Sequence, residues 1–332
     1  MNKRIVTVFG GSGFIGRHLI KKLADQDFII RVAVRDTEAA RYLLTMADIG
    51  QIIPTAANIL DVSTIENAVK GADSVVNLVG ILAEWGTQSF NNLHTIGASN
   101  LAKASSAAGV KNFIHISALG ANSKSASLYA RTKAEGEQRV LAEFKKAIVL
   151  RPSVIFGAED KFFNLFAAIS RFTFFMPAFG CPAFPKLKFF KDGRLISANF
   201  YGDGGTKFQP VYVGDVAEAI LAAFDNKKAQ GNVYELGGPT VYSWVELMRL
   251  IFKEVDRKRI LVPIPFWYLY IVGWFLQKLP SPLLTCDQVT QLKINNIVSS
   301  KLGTFEDLGL LATPVELIIE DYLKRFRKQN SR

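Results

Sequence analysis

The stretch RIVTVFGGSGFIG, from Arg4 to Gly16, decides how the rest of the chain is read. Ile5, Val6, Val8 and Phe9 form a short β-branched and aromatic run, the pattern of a buried strand. The run ends in a glycine-rich turn. Phe14, Ile15, Leu19, Ile20 and Leu23 then recur at helical spacing. Strand, turn and helix place Gly10, Gly13 and Gly16 in a G-x-x-G-x-x-G pattern, in which glycine serves a tight turn, a close approach to a pyrophosphate and helix–strand packing. The first helical turn, opened by Phe14 and Ile15, offers its free N–H groups and partial positive charge to the phosphates. A dinucleotide site is the expectation.

The second strand, IIRVAV from Ile29 to Val34, refines the cofactor. An NAD site calls for an acidic residue about 20 residues past the glycines, bonded to the ribose 2′-hydroxyl. Here Arg35 closes the strand and Asp36 follows it. A guanidinium at that place pairs with a 2′-phosphate in forked geometry, with Arg17 in support, so NADPH (NADP) is expected ahead of NAD. The competing reading is a surface arginine beside its own aspartate.

The expected architecture is α/β: a doubly wound parallel (Rossmann) sheet over residues 1–157, followed by a smaller C-terminal α+β region, 158–332, for substrate or partner docking. With 332 residues, 49% of them apolar, the chain supports a large core and is not disordered. Its net charge of +11 comes without a nucleic-acid recognition motif, and an anionic protein surface or anionic lipid explains it at least as well as nucleic acid; no nucleic-acid partner is expected. Cys181 and Cys286 lack metal-ligand spacing, which points to a reducing compartment and no structural metal. The first strand starts too early for a leader, and a cytoplasmic location in a bacterium is expected.

Further strands are expected at Gln51 to Thr55, Ser74 to Val79, Asn112 to Ser117 and Ala147 to Leu150, with helices between them. Asp61 lies just past the third strand, where it either accepts from an adenine amino group or caps the next helix. Gly80 and Ser117 fall at carboxyl ends of strands, where ligands bind in such sheets. A helix opening near Ser125 carries Tyr129 and Lys133, spaced i, i+4 on one face. An ammonium beside a phenol favours phenolate, making Tyr129 a general acid/base candidate, with Lys133 tuning it and binding ribose and Ser117 polarising a substrate oxygen. His18, His94 and His115 have no ligand-like spacing, and His115 reads as a core or cleft residue.

Beyond the first region, a helix is expected over Lys161 to Met176 and a β-hairpin turning at Asp192-Gly193, with basic and aromatic residues alternating around it. Gln209 to Val213 reads as a strand, with Asp215 as the N-cap of a helix. Most unusual is Phe266 to Phe275, crowded with Trp and Tyr between Pro265 and Pro280. The intervening residues span about 21 Å as helix, short of the roughly 30 Å of a bilayer core. Two readings stand: a helix in a membrane interface or on a hydrophobic partner, and a helix buried in its own protein.

GGSGFIG, the Tyr129–Lys133 pair and RPSVIFG at Arg151 to Gly157 resemble the short-chain dehydrogenase/reductase superfamily in its extended or atypical branch. FIHIS at 113–117, GAEDKFFNLFA at 157–167, QPVYVGDVA at 209–217 and FEDLGLLATPVEL at 305–317 resemble, within it, the Rossmann-type NADPH-binding accessory subunits of respiratory complex I. That resemblance implies a structural NADPH held by Gly10, Gly13, Gly16 and Arg35, with Tyr129 and Lys133 lining the nicotinamide side. It also implies complex I partners near the quinone-reducing arm and a place peripheral to the inner membrane. Extended sugar epimerases of the superfamily carry a second hydroxyl residue directly after the position of Ser117. This chain has Ala118 there, which tells against epimerase chemistry and leaves reductase chemistry open.

Overall fold

A computed structural model of the chain describes residues 3–182, 186–189 and 195–327. The described residues divide into two compact units. The first comprises 1–153, 213–237 and 298–312; the second comprises 154–212, 238–297 and 313–332. The expected division into 1–157 and 158–332 therefore differs from the one observed. The chain leaves the first unit close to the expected point but returns to it twice: Val213–Asp225 and Val233–Leu236 add a covering helix and a seventh strand, and 298–312 lies against that strand, where Glu235 accepts the Ser299 N–H.

The first unit is built on a seven-stranded sheet in the order β3-β2-β1-β4-β5-β6-β7. Its strands are β1 (Ile5–Phe9), β2 (Ile29–Val34), β3 (Ile52–Ala56), β4 (Ser74–Asn77), β5 (Asn112–Ile116), β6 (Ile148–Pro152) and β7 (Val233–Leu236), and every pairing is parallel. Val8 pairs with Val32 on one side and Val76 on the other, and all three are fully buried. Strands covered on both faces read as continuous apolar runs, which is why the first strand was visible without alternation. Helices α1 (Phe14–Asp25) and α6 (Val213–Asp225) cover one side, packed on each other. Helices α2 (Val62–Val69), α3 (Ala98–Ala107) and α4 (Leu128–Glu143) share the other core, through Ile65, Leu101 and Val140.

Two details of this unit depart from expectation. The helix ahead of α3 is π-wound over Asn91–Gly97, and that wider turn carries His94, a buried residue. Asp215 is not an N-cap: α6 already starts at Val213, and Asp215 sits buried in its first turn, where a carboxylate meets the positive end of the helix dipole.

In the second unit, the helix expected over 161–176 is only α5 (Phe162–Ile169). Phe175–Phe179 is instead a strand running parallel to Ile260–Ile264. The aromatic and β-branched residues after Ile169 suit a strand, and Pro177 cannot continue a helix. The expected strand Gln209–Val213 is reduced to Val211–Tyr212, paired with Ile155–Phe156. Lys186–Phe189 and Leu195–Asn199 pair antiparallel, as a hairpin requires; its expected Asp192-Gly193 turn lies outside the described residues. The core centres on Trp244, the first residue of α7 (Trp244–Glu254), ringed by Phe162, Phe166, Phe179 and Phe208 at 4.3–5.9 Å between ring centroids. Its indole N–H donates to the Pro177 carbonyl at 2.8 Å, so the largest buried side chain leaves no polar atom unpaired. Helices α8 (Phe266–Leu276), α9 (Cys286–Gln291) and α10 (Val315–Leu323) complete the unit.

A buried ion cluster ties α4 to the sheet edge in the first unit. Arg151 on β6 donates twice to Glu137 on α4, at 2.9 and 2.5 Å, and lies 3.6 Å from Glu235 on β7. Glu235 also accepts the Ser299 N–H at 2.7 Å. Arg151→Met leaves two buried carboxylates without their countercharge and is expected to lower the unfolding free energy by about 3–5 kcal/mol, read from urea denaturation.

Candidate dinucleotide site

The glycine turn brings the backbone of α1 against its own approach strand. A Cβ on Gly16 would lie 2.3 Å from the Gly11 carbonyl oxygen, a contact no side chain survives. Gly10 has φ +78°, and a Cβ there would press on the backbone of Leu78 and Val79 at 3.1 and 3.2 Å. So the loops after β1 and β4 touch at the point where the strand order reverses, the place ligands occupy in doubly wound sheets. Gly11, given no role of its own from the sequence, is also crowded, though less than Gly16, because its Cβ would meet the Val32 side chain at 2.8 Å. Gly13 is the N-cap of α1 with an ordinary extended backbone. No side chain caps that helix and no acid stands in its first turn, so the N–H groups of Phe14 and Ile15 face an open anion position.

At the end of β2, Arg35 is exposed, while Asp36 accepts the Ala39 N–H at 3.1 Å to close the next turn. The aspartate is thus engaged locally. Asp61 caps α2, its Oδ1 accepting from the Ser63 N–H at 3.1 Å and the Ser63 hydroxyl at 2.8 Å, and these bonds hold its carboxyl below the usual range. Of the two readings of Asp61, the cap is present.

Ser127 caps α4, its hydroxyl accepting the Ala130 N–H, and the first turns of that helix project Tyr129 and Lys133 at the ends of β4 and β5. Lys133 is buried, 6.0 Å from the centre of the Tyr129 ring, and donates to the Ile116 carbonyl at 3.2 Å. Burial pushes its amine down to about 8, with Glu137 opposing the shift. A Cβ on Gly80 would lie 3.2 Å from the Lys133 Nζ, so the ammonium rests directly on the glycine backbone. Ser117 is buried, and its hydroxyl has no partner among the described residues.

His94 is the residue that sequence reasoning missed. Its Nε2 accepts the Ile81 N–H at 3.1 Å, so the proton lies on Nδ1, which donates to the Thr132 hydroxyl at 3.2 Å. Its ring stacks on Phe90 and meets Tyr129 edge-on, with centroids 5.3 Å apart in each case. Burial, then the charge of Lys133, pushes its imidazole down to about 2. Asn77 pins the same loop, accepting the Val79 N–H at 3.1 Å and donating to His115 Nδ1. His115 is likewise neutral, pushed down to about 3 by burial. No short-range pattern reveals these contacts, because His94 bridges residues 13 and 38 positions away.

Residues 6–237 match the NAD dependent epimerase/dehydratase family. The chain belongs to that family. Among its relatives, the mitochondrial NADH dehydrogenase (ubiquinone) 1 alpha subcomplex subunit 9 of Mus musculus is 34% identical over 97% of this chain and 80% of that protein. The Arabidopsis thaliana protein of the same description is 32% identical over 98% of this chain and 78% of its own length. A solved UDP-glucose 4-epimerase from Bifidobacterium longum, in complex with NAD+ and UDP, superposes with a TM-score of 0.66 at 16% identity, covering 96% of this chain and 97% of that one. At that identity the likeness is one of fold.

A dinucleotide of this family fits the residues present: an uncapped helix N-terminus over a glycine cradle, and a buried Ser117 hydroxyl awaiting a partner. The structure brings Gly10, Gly13, Phe14, Ile15, Gly16, Gly80, Ser117, Tyr129 and Lys133 to the carboxyl edge of one sheet. Asp61 is the position whose visible work lies elsewhere.

The buried amine sets a pH signature. Because Lys133 is lowered in the folded state, folding releases a proton between pH 8 and the ordinary lysine value, so its contribution to stability rises with pH across that window. A ribose accepting from the ammonium has the opposite dependence. Dinucleotide affinity is expected to hold below pH 8 and weaken above it, up to about tenfold per pH unit, with that slope absent in Lys133→Met; fluorescence titration across pH reads both.

Proposed function

We propose that this chain is an NADP(H)-binding accessory subunit of respiratory complex I, with the cofactor held as part of its structure. The observation that carries the reading is the extent of the likeness to the alpha subcomplex subunits. It covers 97% of the chain, the second unit as well as the dinucleotide-binding one. Solved epimerases share the fold over just as much of the chain but at 16–18% identity, so the sequence identity, and not the fold, carries the reading. In this reading Gly10, Gly13, Phe14, Ile15 and Gly16 hold the pyrophosphate and Arg35 the 2′-phosphate, while Asp61, besides capping α2, accepts from the adenine amino group. Gly80, Tyr129 and Lys133 enclose the nicotinamide end. Its partners are complex I subunits near the quinone-reducing arm, and its place is peripheral, on the cytoplasmic face of a bacterial inner membrane.

A second reading rests on a separate observation, the survival of Ser117, Tyr129 and Lys133 together at the strand ends. Those three are the equipment of a free NAD(P)-dependent reductase, epimerase or dehydratase: Tyr129 exchanges a proton with the substrate oxygen, Lys133 favours its phenolate and Ser117 donates to the same oxygen. Bound NADPH supplies the hydride. The relative named a ceramide reductase, from Caulobacter vibrioides, is 30% identical over 47% of this chain and 48% of that protein, which keeps reductase chemistry within reach.

Blue-native electrophoresis of gently solubilised membranes separates the readings. Co-migration with complex I, with NADPH retained in the band, is the expected result. A small species with normal complex I assembly in its absence overturns the subunit reading and turns attention to a carbonyl-substrate screen. In that screen Tyr129→Phe abolishes turnover and leaves NADPH binding intact. Arg35→Ser is expected to weaken NADPH about tenfold or more and leave NADH unchanged, through loss of a charge-assisted fork; isothermal titration with the two dinucleotides reads the difference.

A further inference from the structure

Helix α8 carries no charged residue along its length, yet only one of its faces is covered. Leu269 is buried, and Gly273 packs on the backbone of Thr285 and Cys286, where a Cβ would lie 3.2 Å away. The Tyr270 hydroxyl bonds to Thr290 on α9, which fixes the helix in rotation. The opposite face presents Trp267, Tyr268, Ile271, Trp274 and Phe275, with Trp267 66% and Phe275 61% exposed. Leu283, beyond the helix, is 65% exposed as well. A helix apolar all round belongs in an apolar surrounding, and a fixed patch of this kind marks an interaction surface.

Two features choose the surrounding. Ammonium groups sit on the aromatic faces at the rim: Lys278 Nζ is 3.6 Å from the Trp274 ring centre and Lys293 Nζ is 4.6 Å from that of Tyr270. Trp and Tyr with lysines at their edges is the arrangement of a headgroup boundary, where rings enter the acyl margin and ammonium groups stay among phosphates. Charge is also unevenly shared. The second unit holds 19 Lys and Arg against 11 Asp and Glu, so it carries +8 of the chain's +11 on fewer than half of its residues. No helix among the described residues is long and apolar enough to cross a membrane, and α8 spans only about 16 Å, a length suited to lying in the interface plane.

We infer that α8 docks the second unit on anionic lipid, lying in the bilayer interface with Trp267, Ile271, Trp274 and Phe275 inserted and Lys278 and Lys293 among the headgroups. The inference deepens the peripheral placement proposed above, and the isolated chain tests it without any other subunit. Purified full-length protein is sedimented with vesicles of phosphatidylcholine alone and of phosphatidylcholine mixed with phosphatidylglycerol. Partitioning about tenfold stronger into the anionic vesicles is expected, with a blue shift of tryptophan emission and quenching by brominated acyl chains. The variant Trp267→Ser/Trp274→Ser/Phe275→Ser loses partitioning and keeps NADPH binding. Lys278→Gln loses most of the preference for anionic lipid and keeps the emission shift. Absence of vesicle binding, equal binding to both vesicle types, or unchanged binding by the triple variant overturns the inference. So does self-association, or retention in a complex I band, that the triple variant abolishes when the parent binds no vesicles: the face then belongs to protein. Failure here leaves the complex I reading standing, because electrophoretic co-migration is read independently.

Discussion

Backbone packed directly on backbone at the glycine turn is the constraint on which the first unit depends. Gly16 rests on the Gly11 carbonyl, and Gly10 rests on the chain leaving β4. With side chains at these points α1 could not begin where it does, and its N–H groups would not face the strand-order reversal. Position follows from that contact: the opening for a pyrophosphate, the neighbouring loop with Gly80 and, across it, the lysine of α4. A dispersion contact worth little in itself thereby sets the geometry of every polar group around it.

The second organising fact is an ammonium kept out of water. Lys133 is buried with one carbonyl partner; the two imidazoles beside it are neutral, and Glu137, itself paired with Arg151, only partly offsets the burial. Burying a cation with so few acceptors costs stability, and the site recovers it only when further oxygens arrive. Asn77 and His94 hold the Val79 and Ile81 N–H groups of the same loop, while His115 Nε2 and the Ser117 hydroxyl are buried without partners among the described residues. An ammonium with a single carbonyl partner beside two unpartnered buried polar atoms leaves donors and acceptors that a polar ligand would engage.

The second unit handles apolar surface in two opposite ways. Around Trp244, aromatic rings meet edge to face and the one buried indole N–H is paired, which closes a core. On α8, aromatics of the same kinds point outward from a helix whose inner face is locked by Gly273 and Tyr270. Composition is shared by the two places and cannot separate them; packing does.

The sheet, its parallel order and the glycine cradle were legible from the chain because each rests on short-range rules. β-branched runs of four to six residues make covered strands, and glycine at fixed spacing opens a helix onto a phosphate. Tyr129 and Lys133 share a face by helical spacing alone. The helix expected through Met176 ended at Ile169 because a strand partner some 85 residues away competed for Phe175–Phe179, a tertiary choice invisible to local propensity. Gly11, Asn77 and His94 went unread for the same reason: each is defined by an atom of a distant element, such as Val32 for Gly11 or Ile81 and Thr132 for His94. Asp61 and the aromatic stretch were open between two readings, and tertiary placement separated cap from free carboxylate and exposed face from buried one. Sequence by itself determined most elements of the first unit and the glycine turn at which a dinucleotide is expected, since those follow from periodicity and backbone freedom. Tertiary structure alone decided which groups are buried, which protons they carry and which apolar face meets the outside, because burial depends on what the fold brings alongside.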